Sequence, residues 1–497
     1  MKMPLARALS VLLLLIVLTG TMALAVEPEY ESFDQLNGKT ISMLTGAPFE
    51  KLIESKVDEV KEFTYFNAMP DMMLALKSGK TDACLMNNAI AELTVNRDEA
   101  LALFPENLGE STFGIAFAKG STEKAKWDAA YAKISEKTKN ELWKKWTGAD
   151  ESKKKLIKQD WEGKNGTVYV ACCDTLEPMS YAGEGGEIVG FDVEIVLLMA
   201  KQLDVKVNFI GSEFASVMPA VESGKALMGI GSIIVTDERK QSVDFIEYYP
   251  ASFVFIIRSK EGASAQSGLL DSFKRTFITE SRYKMVLSGL GITIAMAAIS
   301  GVLGLLFAYF LVFIRHSDKK IINGIISVYT AIIAGIPSVV ILMVLYYVVF
   351  GSTRVPAFIV ATIGFAHIYA ARAYGVIWNA ASSVDAGQRE AALALGYTEG
   401  KAFREIILPQ SRGIYEPVLQ SQFIMLMKET SIAGFISVLE LTKAGDLIRS
   451  RTMEAFFPLI AIALIYFVLT WLTARAFAFV QSVRNKKRKQ RVIKGVD

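Results

Sequence analysis

The hydrophobic pattern divides the chain into two regimes. From about residue 26 to 260, short β-rich runs alternate with amphipathic segments; from about 285 to 481, apolar residues gather into long stretches. In the first regime, 39–44, 83–86, 167–172, 206–210, 227–233 and 251–257 read as strands, and segments such as 193–203 place apolar residues at helical spacing. Strands alternating with helices predict α/β units around parallel sheets, whose ligands bind beyond the carboxyl ends of the strands. In the second regime, 290–314, 321–350, 355–378 and 455–479 are each long enough to cross a hydrocarbon core of about 30 Å. Stretch 417–438 is less apolar, holding Gln420, Gln422, Lys428, Glu429 and Thr430. Charges in lipid are costly, so this helix is expected to end near an interface or to face protein or water. Five spans are predicted. Segment 261–284, with Phe273, Phe277 and Tyr283 among charges, predicts an interfacial helix or tether.

Composition agrees with a chain partly in lipid: 52% of residues are hydrophobic and net charge is only +3, which does not suggest a nucleic-acid partner. Residues 1–25 carry Lys2 and Arg7, an apolar run at 11–18 and the small-x-small pattern Ala23-Leu24-Ala25, which predicts an export signal. An uncleaved anchor is the alternative. Residues from about 26 are then expected outside the cytoplasm, with the first span running inward. Arg315, Lys319 and Lys320 after the first span, and the basic tail 482–497 after the fifth, fit the positive-inside rule in the plasma (inner) membrane. His316 and His367 lie apart from Cys84, Cys172 and Cys173, and a zinc site needs about four such ligands, so no metal and no cofactor is expected. A bond between neighbours Cys172 and Cys173 would be strained, so buried free thiols are expected. Gly38-Lys39-Thr40 and Gly79-Lys80-Thr81 lack the earlier glycine of a phosphate loop, having Phe33 and Leu74 there. ATP binding through that motif is excluded.

Two stretches resemble the periplasmic amino-acid-binding protein family. Residues 166–260, with GGEIVGFDVEIVLLMAKQLDVKVNFI (185–210) and FASVMPAVESGKALMGIGSIIVTDERKQSVDF (214–245), resemble its first lobe. Residues 33–116, with LNGKTISMLTGAPFEKLI (36–53) and LALKSGKTDACLMNN (74–88), resemble its second; FGIAFAKGS (113–121) and LWKKWTG (142–148) resemble the closing segment that returns to the first lobe. The order is reversed relative to the family. One circularly permuted domain is expected, with second lobe and closing segment at 26–148, a linker at 149–165 and the first lobe at 166–260; tandem remnants are the rival. The resemblance implies an arginine on the ligand carboxylate, acidic groups and a hydroxyl on its ammonium, and aromatic rings over its side chain. Arg239 matches the carboxylate anchor and Phe214 a covering ring. Asn87 stands where an aspartate is usual, Ile234 where a threonine is usual, and Cys173 and Leu176 replace an acidic and an aromatic residue. Asp174 recovers the acidic role after a one-residue shift, with Glu177 and Tyr181 nearby. The candidate ligand set is Arg239, Phe214, Asp174, Tyr181, Ser232, Thr45 and Asn87.

Residues 388–409 read QREAALALGYTEGKAFREIILP and place Glu390, Ala391, Ala392, Gly396, Ile406, Leu408 and Pro409 in the spacing of a motif that resembles the coupling loop of ABC importer permeases. The physical reading of 383–410 is two short helices, with a sharp turn at Gly396 and the second ended by Pro409. GLGITIAMAAIS (289–300), AGIPSVVILMVLYYVVF (334–350) and KETSIAGFISVLEL (428–441) resemble the polar-amino-acid permease branch, from which Ala334 departs. The expected fold class is multidomain: a two-lobed α/β domain of the periplasmic-binding-protein type II kind, then an all-α permease domain (285–481) of five helices. The resemblance implies the binding and permease subunit of an importer for a small polar solute, an amino acid or related carboxylate. Implied partners are the lipid bilayer, a second copy of the chain and two copies of a separate ATPase. The alternatives are a ligand-gated channel, opposed by the lack of a half-length apolar segment, and a non-transporting sensor, opposed by the short tail.

Overall fold

The computed structural model describes residues 30–494 apart from 99, 149, 184–185, 260–268, 317–319, 352 and 453–455. The expected export signal, Lys319 and the tail side chains beyond Arg484 lie outside the described residues.

The α/β part runs β1 (Thr40–Leu44), β2 (Glu62–Phe66), α1 (Met69–Lys77), β3 (Ala83–Asn87), α2 (Asn88–Arg97), β4 (Leu101–Leu103), β5 (Gly109–Ala118), α3 (Lys124–Tyr131), α4 (Glu136–Thr147) and β6 (Thr167–Cys173). There follow β7 (Thr175–Leu176), β8 (Ser180–Ala182), β9 (Ile188–Val189), α5 (Phe191–Leu203), β10 (Lys206–Ser212), α6 (Phe214–Glu222), β11 (Met228–Ile230), α7 (Arg239–Ser242) and β12 (Val243–Arg258). It belongs to two compact units. One holds the described residues through Phe66, Asp71–Glu110 and the segment from Ser252; the other holds Asn67–Pro70, Ser111–Ala251 and everything from Ser267 on.

In the first unit, β1 lies parallel to both β2 and β3, with Ile41 opposite Phe63 and Ala83. The last residues of β12 run antiparallel to β3 and β4. Strands β1 and β3 are buried throughout, as strands covered on both faces should be. In the second unit the order is β10-β6-β11-β5, parallel except for β5, which opposes β11 through the pair Met228 and Phe117. Helix α5 starts after Gly190 at φ +138°, where a Cβ would stand 2.2 Å from the Met179 carbonyl oxygen. It stops at Asp204, in the left-handed region at φ 49°. All three cysteines are buried and free.

The helical part of the second unit comprises α8 (Tyr283–Arg315), α9 (Lys320–Gly335), α10 (Ser338–Met343), α11 (Ala357–Ser382), α12 (Ala386–Ala394), α13 (Glu399–Ala402), α14 (Leu408–Glu429), α15 (Leu441–Thr452) and α16 (Phe456–Lys494). Among the described residues, three helices qualify as spans by length and composition: α8, α11 and α16. Helices α9 and α10, the latter extended by a π turn to Val349, make a fourth if taken together, but they meet at 107°. The stretch expected to span over 321–350 is broken at Gly335-Ile336-Pro337, because proline disfavours helical backbone in the residue before it. The expectation that no half-length apolar segment exists is corrected with it. The fourth expected span, 417–438, is instead α14, which starts at Leu408 and ends at Glu429, before a 3-10 turn over Thr430–Ile436. Its terminal Glu429 faces protein: Arg372 of α11 grips both its oxygens at 2.8 and 2.9 Å.

Helix α11 is the centre of the bundle, its apolar window 67% buried against 6% for α16. Close approach depends on small residues. A Cβ on Gly304 of α8 would stand 2.6 Å from the Ala366 carbonyl oxygen, and Ser300 donates to the Thr362 carbonyl at 3.0 Å. The expected interfacial segment becomes a short helix, Leu269–Phe273, with a π turn over Lys274–Ile278.

Candidate functional site

Arg239 opens α7 and is half-buried. Its guanidinium donates to the Ile234 carbonyl at 3.0 Å and lies over the Phe214 ring at 5.9 Å. Phe214 is the first residue of α6 and is itself buried. Burial lowers the Arg239 guanidinium to about 10, which leaves it charged at neutral pH. The loop before it is pinned by Asp192, in the first turn of α5. The Gly231 and Ser232 amides both donate to one Asp192 oxygen at 3.1 Å, and the Tyr248 hydroxyl donates to the other at 2.6 Å. Ser232 is thereby held at φ 56°. Sequence reasoning missed Asp192; its signal was an acidic residue, with Glu194, in the first turn of a mostly apolar helix.

Burial raises the Asp192 carboxyl to about 6, against the donors that favour its ionised form. A folded pKa above the unfolded value gives stability that is full below the unfolded pKa and lost as pH rises through the folded one. The stability difference between wild type and D192N is therefore expected to fall as pH rises from about 4 to about 6. Thermal melts of the full chain at each pH check this.

The closing helices pack on the same lobe. The Trp146 indole and the Lys145 ammonium both donate to Glu194 of α5, at 2.7 and 2.6 Å, and the Tyr131 hydroxyl donates to the Tyr248 carbonyl at 2.6 Å.

Asp174 and Tyr181 are engaged elsewhere. Asp174 is buried against Lys443 of α15 at 2.8 Å, with side chains 4% and 8% exposed. Burial raises its carboxyl above the ordinary value while Lys443 acts in the opposite direction. The Tyr181 ring lies under the Arg451 guanidinium at 4.9 Å. Arg451 pairs with Glu177 at 3.0 Å and Glu280 at 3.1 Å, and Ser450 donates to the Thr175 carbonyl at 2.8 Å. The acidic residues expected near a ligand thus join the lobe to α15. In the other unit, Thr45 follows β1 and its amide donates to the Phe66 carbonyl at 2.9 Å. Asn87 ends β3, and its side-chain oxygen caps α2 by accepting from the Ile90 amide at 3.0 Å.

Between α11 and α14 the chain forms a knob. Asp385 caps α12, accepting from the Gly387 amide at 2.8 Å. Gly396 sits at φ +84° with amide bonds from Gly396 to Leu393 and from Tyr397 to Ala392, the paired closure of a Schellman cap. Arg389 clasps Glu399 across this turn at 2.9 and 2.5 Å. Glu390 and Ala391 are exposed, Ala392 is buried and Leu395 is 78% exposed. Phe403 anchors the knob by stacking on His316 at 4.4 Å. The expectation that Pro409 ends the second helix is corrected. A π turn over Phe403–Ile407 carries α13 into α14, with Leu408 and Pro409 in its first turn, where a missing N–H costs little.

A probable amino-acid permease protein YxeN of Bacillus subtilis (strain 168) is 30% identical over 194 residues, 38% of this chain and 87% of that protein. A probable amino-acid ABC transporter permease protein YckA of the same organism is 32% identical over 206 residues, 41% of this chain and 89% of that one. The chain belongs to the amino-acid ABC transporter permeases. It is therefore a transporter subunit and not an enzyme. The arginine transport system permease protein ArtQ of the same organism is 30% identical over 189 residues, 37% of this chain and 85% of that protein. The family of bacterial extracellular solute-binding proteins, family 3, matches residues 168–405, starting within β6 and running on into the helical part. Among solved structures, a crystal structure of an amino acid ABC transporter with histidines shares 30% identity at a TM-score of 0.39, covering 44% of this chain and 99% of that one. This permease thus carries, besides its permease part, a match to solute-binding proteins.

Proposed function

We propose that this permease captures a small carboxylate-bearing solute of the amino-acid class outside the cytoplasm and passes it through its own helical part. Two copies of the chain line the pathway, and two ATPase subunits close on the knobs. The observation that carries this reading is the coexistence in one chain of the Arg239 and Phe214 clamp with an exposed, capped knob in the coupling-loop spacing. Two binding domains per transporter raise the local solute supply without a new contact.

The binding domain is one permuted domain in this reading. The closing helices pack on the lobe that follows them in sequence, through Trp146 and Glu194, and the last residues of β12 return to the earlier strands. The solute keeps a carboxylate but lacks a standard α-ammonium. Asn87 and Ile234 replace the usual partners, and Asp174 is held by Lys443. A buried ammonium without an anion costs several kcal/mol. Calorimetry of the full chain against the twenty amino acids tests this, and nanomolar binding to several of them would overturn it.

In the transporter reconstituted with its ATPase, E390R and G396V are each expected to bind solute as wild type does while solute-stimulated ATP hydrolysis drops to the basal rate. At Gly396 nothing lies within 4 Å of an added Cβ, so the effect comes from the backbone, where a left-handed β-branched residue costs about 1–2 kcal/mol. Unchanged transport in both variants would sink the coupling assignment. The bent pair α9 and α10 favours one other reading, a ligand-gated channel. Solute-evoked current through the chain alone in a planar bilayer, without ATP, would establish it instead.

A further inference from the structure

Helix α6 joins two features that the clamp alone does not use. At its first residue, Phe214 carries the Arg239 guanidinium. Just past its last residue, the turn holds Lys225, which is 8% exposed. The Lys225 ammonium donates to three backbone carbonyls, those of Phe350 at 3.3 Å, Thr353 at 3.2 Å and Val355 at 3.2 Å, and stands 4.4 Å from the centre of the Tyr346 ring. Three acceptors match the three N–H groups of an ammonium. The carbonyls belong to the turn between the bent pair and α11, which is closed by amide bonds from Phe350 to Leu345 and from Thr353 to Phe350.

The cage is specific to one arrangement. Its carbonyls come from non-adjacent residues and converge only while the turn and the end of the bent pair keep this conformation. Neighbouring backbone is equally close: a Cβ on Gly351 would stand 3.2 Å from the Ser223 carbonyl oxygen and 2.3 Å from that of Tyr347. Neutral carbonyls offset only part of the desolvation of a buried charge, and an apolar side chain of the same length would fill the site without it. The ammonium therefore makes the contact conditional on the carbonyl arrangement more than it makes it strong.

Helix α6 holds Pro219 in its interior, so it is packing along its buried face, Phe214, Val217, Ala220 and Val221, that holds it as one body. It is nine residues long, so its rise is roughly 13 Å. It presses on β11 so closely that a Cβ on Gly229 would stand 2.8 Å from Val217 and 3.0 Å from Val221. A shift of the turn at 350–355 reaches Phe214 as movement of a packed rod, because packed elements move as bodies.

We infer that Lys225 is a positioning residue that couples the bent pair α9 and α10 to the solute clamp through α6. This rests on the transport reading above. When ATP binding on the cytoplasmic side moves the bent pair, the carbonyl cage opens or tightens around Lys225, and the Phe214 face of the clamp responds. Reciprocity requires solute to bias the bent pair by the same factor.

The test uses the reconstituted transporter with its ATPase, a solute found by the calorimetric screen, and K225M, which keeps the stem and removes the charge. Solute Kd is measured without nucleotide and with the ATPase trapped by vanadate. In wild type the two values are expected to differ at least about fivefold, the lower end of common allosteric couplings. In K225M the ratio is expected to collapse to under about twofold while the nucleotide-free Kd and the melting temperature stay near wild type. K225R, which keeps the charge, is expected to retain part of the ratio. A purely structural Lys225 would change melting temperature and leave the ratio alone. If K225M does not assemble, Y346L removes the flanking ring and carries the same readout. A coupled wild type with an equally coupled K225M, or Y346L in its place, overturns the inference alone; a wild type whose Kd ignores the trapped state overturns the transport reading and the inference together.

Discussion

R239M is expected to weaken solute binding by about 2–5 kcal/mol, roughly thirtyfold to several thousandfold, with the fold retained. The size follows from what the guanidinium does. It is half-buried, oriented by the Ile234 carbonyl at 3.0 Å and backed by the Phe214 ring. An anion placed there meets a charge that has already lost much of its water, so the pairing is stronger than at a surface. Removing the charge leaves the solute carboxylate desolvated and unpaired. Methionine keeps most of the stem volume, so melting temperature is expected to change little. R239K should fall between, because an ammonium keeps the charge but loses the planar fork that meets two oxygens at once. Because burial lowers the guanidinium to about 10, the charged form persists through neutral pH, and affinity should fall only as pH rises through that value. Calorimetry on the full chain, with melts as the control, reads these effects. R239M binding as tightly as wild type would remove Arg239 from the site.

How much of this was legible beforehand depends on what each residue answers to. Local patterns were legible. Strands β1, β3 and β6 coincide with the β-rich runs, and the amphipathic stretch from 193 lies inside α5. The turn at Gly396 was legible because only its backbone conformation matters, and glycine announces that conformation in sequence. The 107° bend between α9 and α10 was written in Gly335-Ile336-Pro337, but hydropathy sees one apolar run and is blind to direction. Pro409 misled for the converse reason. A proline stops a helix from its interior and starts one from its first turn, and sequence alone does not say which turn it occupies. The fates of Asp174 and Tyr181 were not legible at all. Their partners, Lys443 and Arg451, lie more than two hundred residues away in the chain, and no local pattern announces such a pairing.

That pairing makes K443M the most damaging single change expected in the dock. It removes one partner of a buried ion pair and leaves Asp174, 4% exposed, without its cation, a change that typically costs about 3–5 kcal/mol. The double variant D174N/K443M removes both charges and is expected to recover most of that loss, because a buried pair itself contributes little net stability. A double-mutant cycle on the melting of the full chain in detergent measures the coupling directly. The pH dependence gives a second, independent reading. In K443M only a backbone hydrogen bond still offsets the burial of Asp174, so its folded pKa rises further above the unfolded value. A group shifted that way contributes fully at low pH and loses its contribution as pH rises through the folded pKa. The deficit of K443M relative to wild type should therefore shrink on acidification, as Asp174 takes up a proton, and be largest at neutral pH and above. An equal deficit at every pH would mean that lost packing by the lysine stem, and not the stranded carboxylate, governs the dock. In that case a polar pair at this position would serve mainly to fix which face of the lobe meets α15.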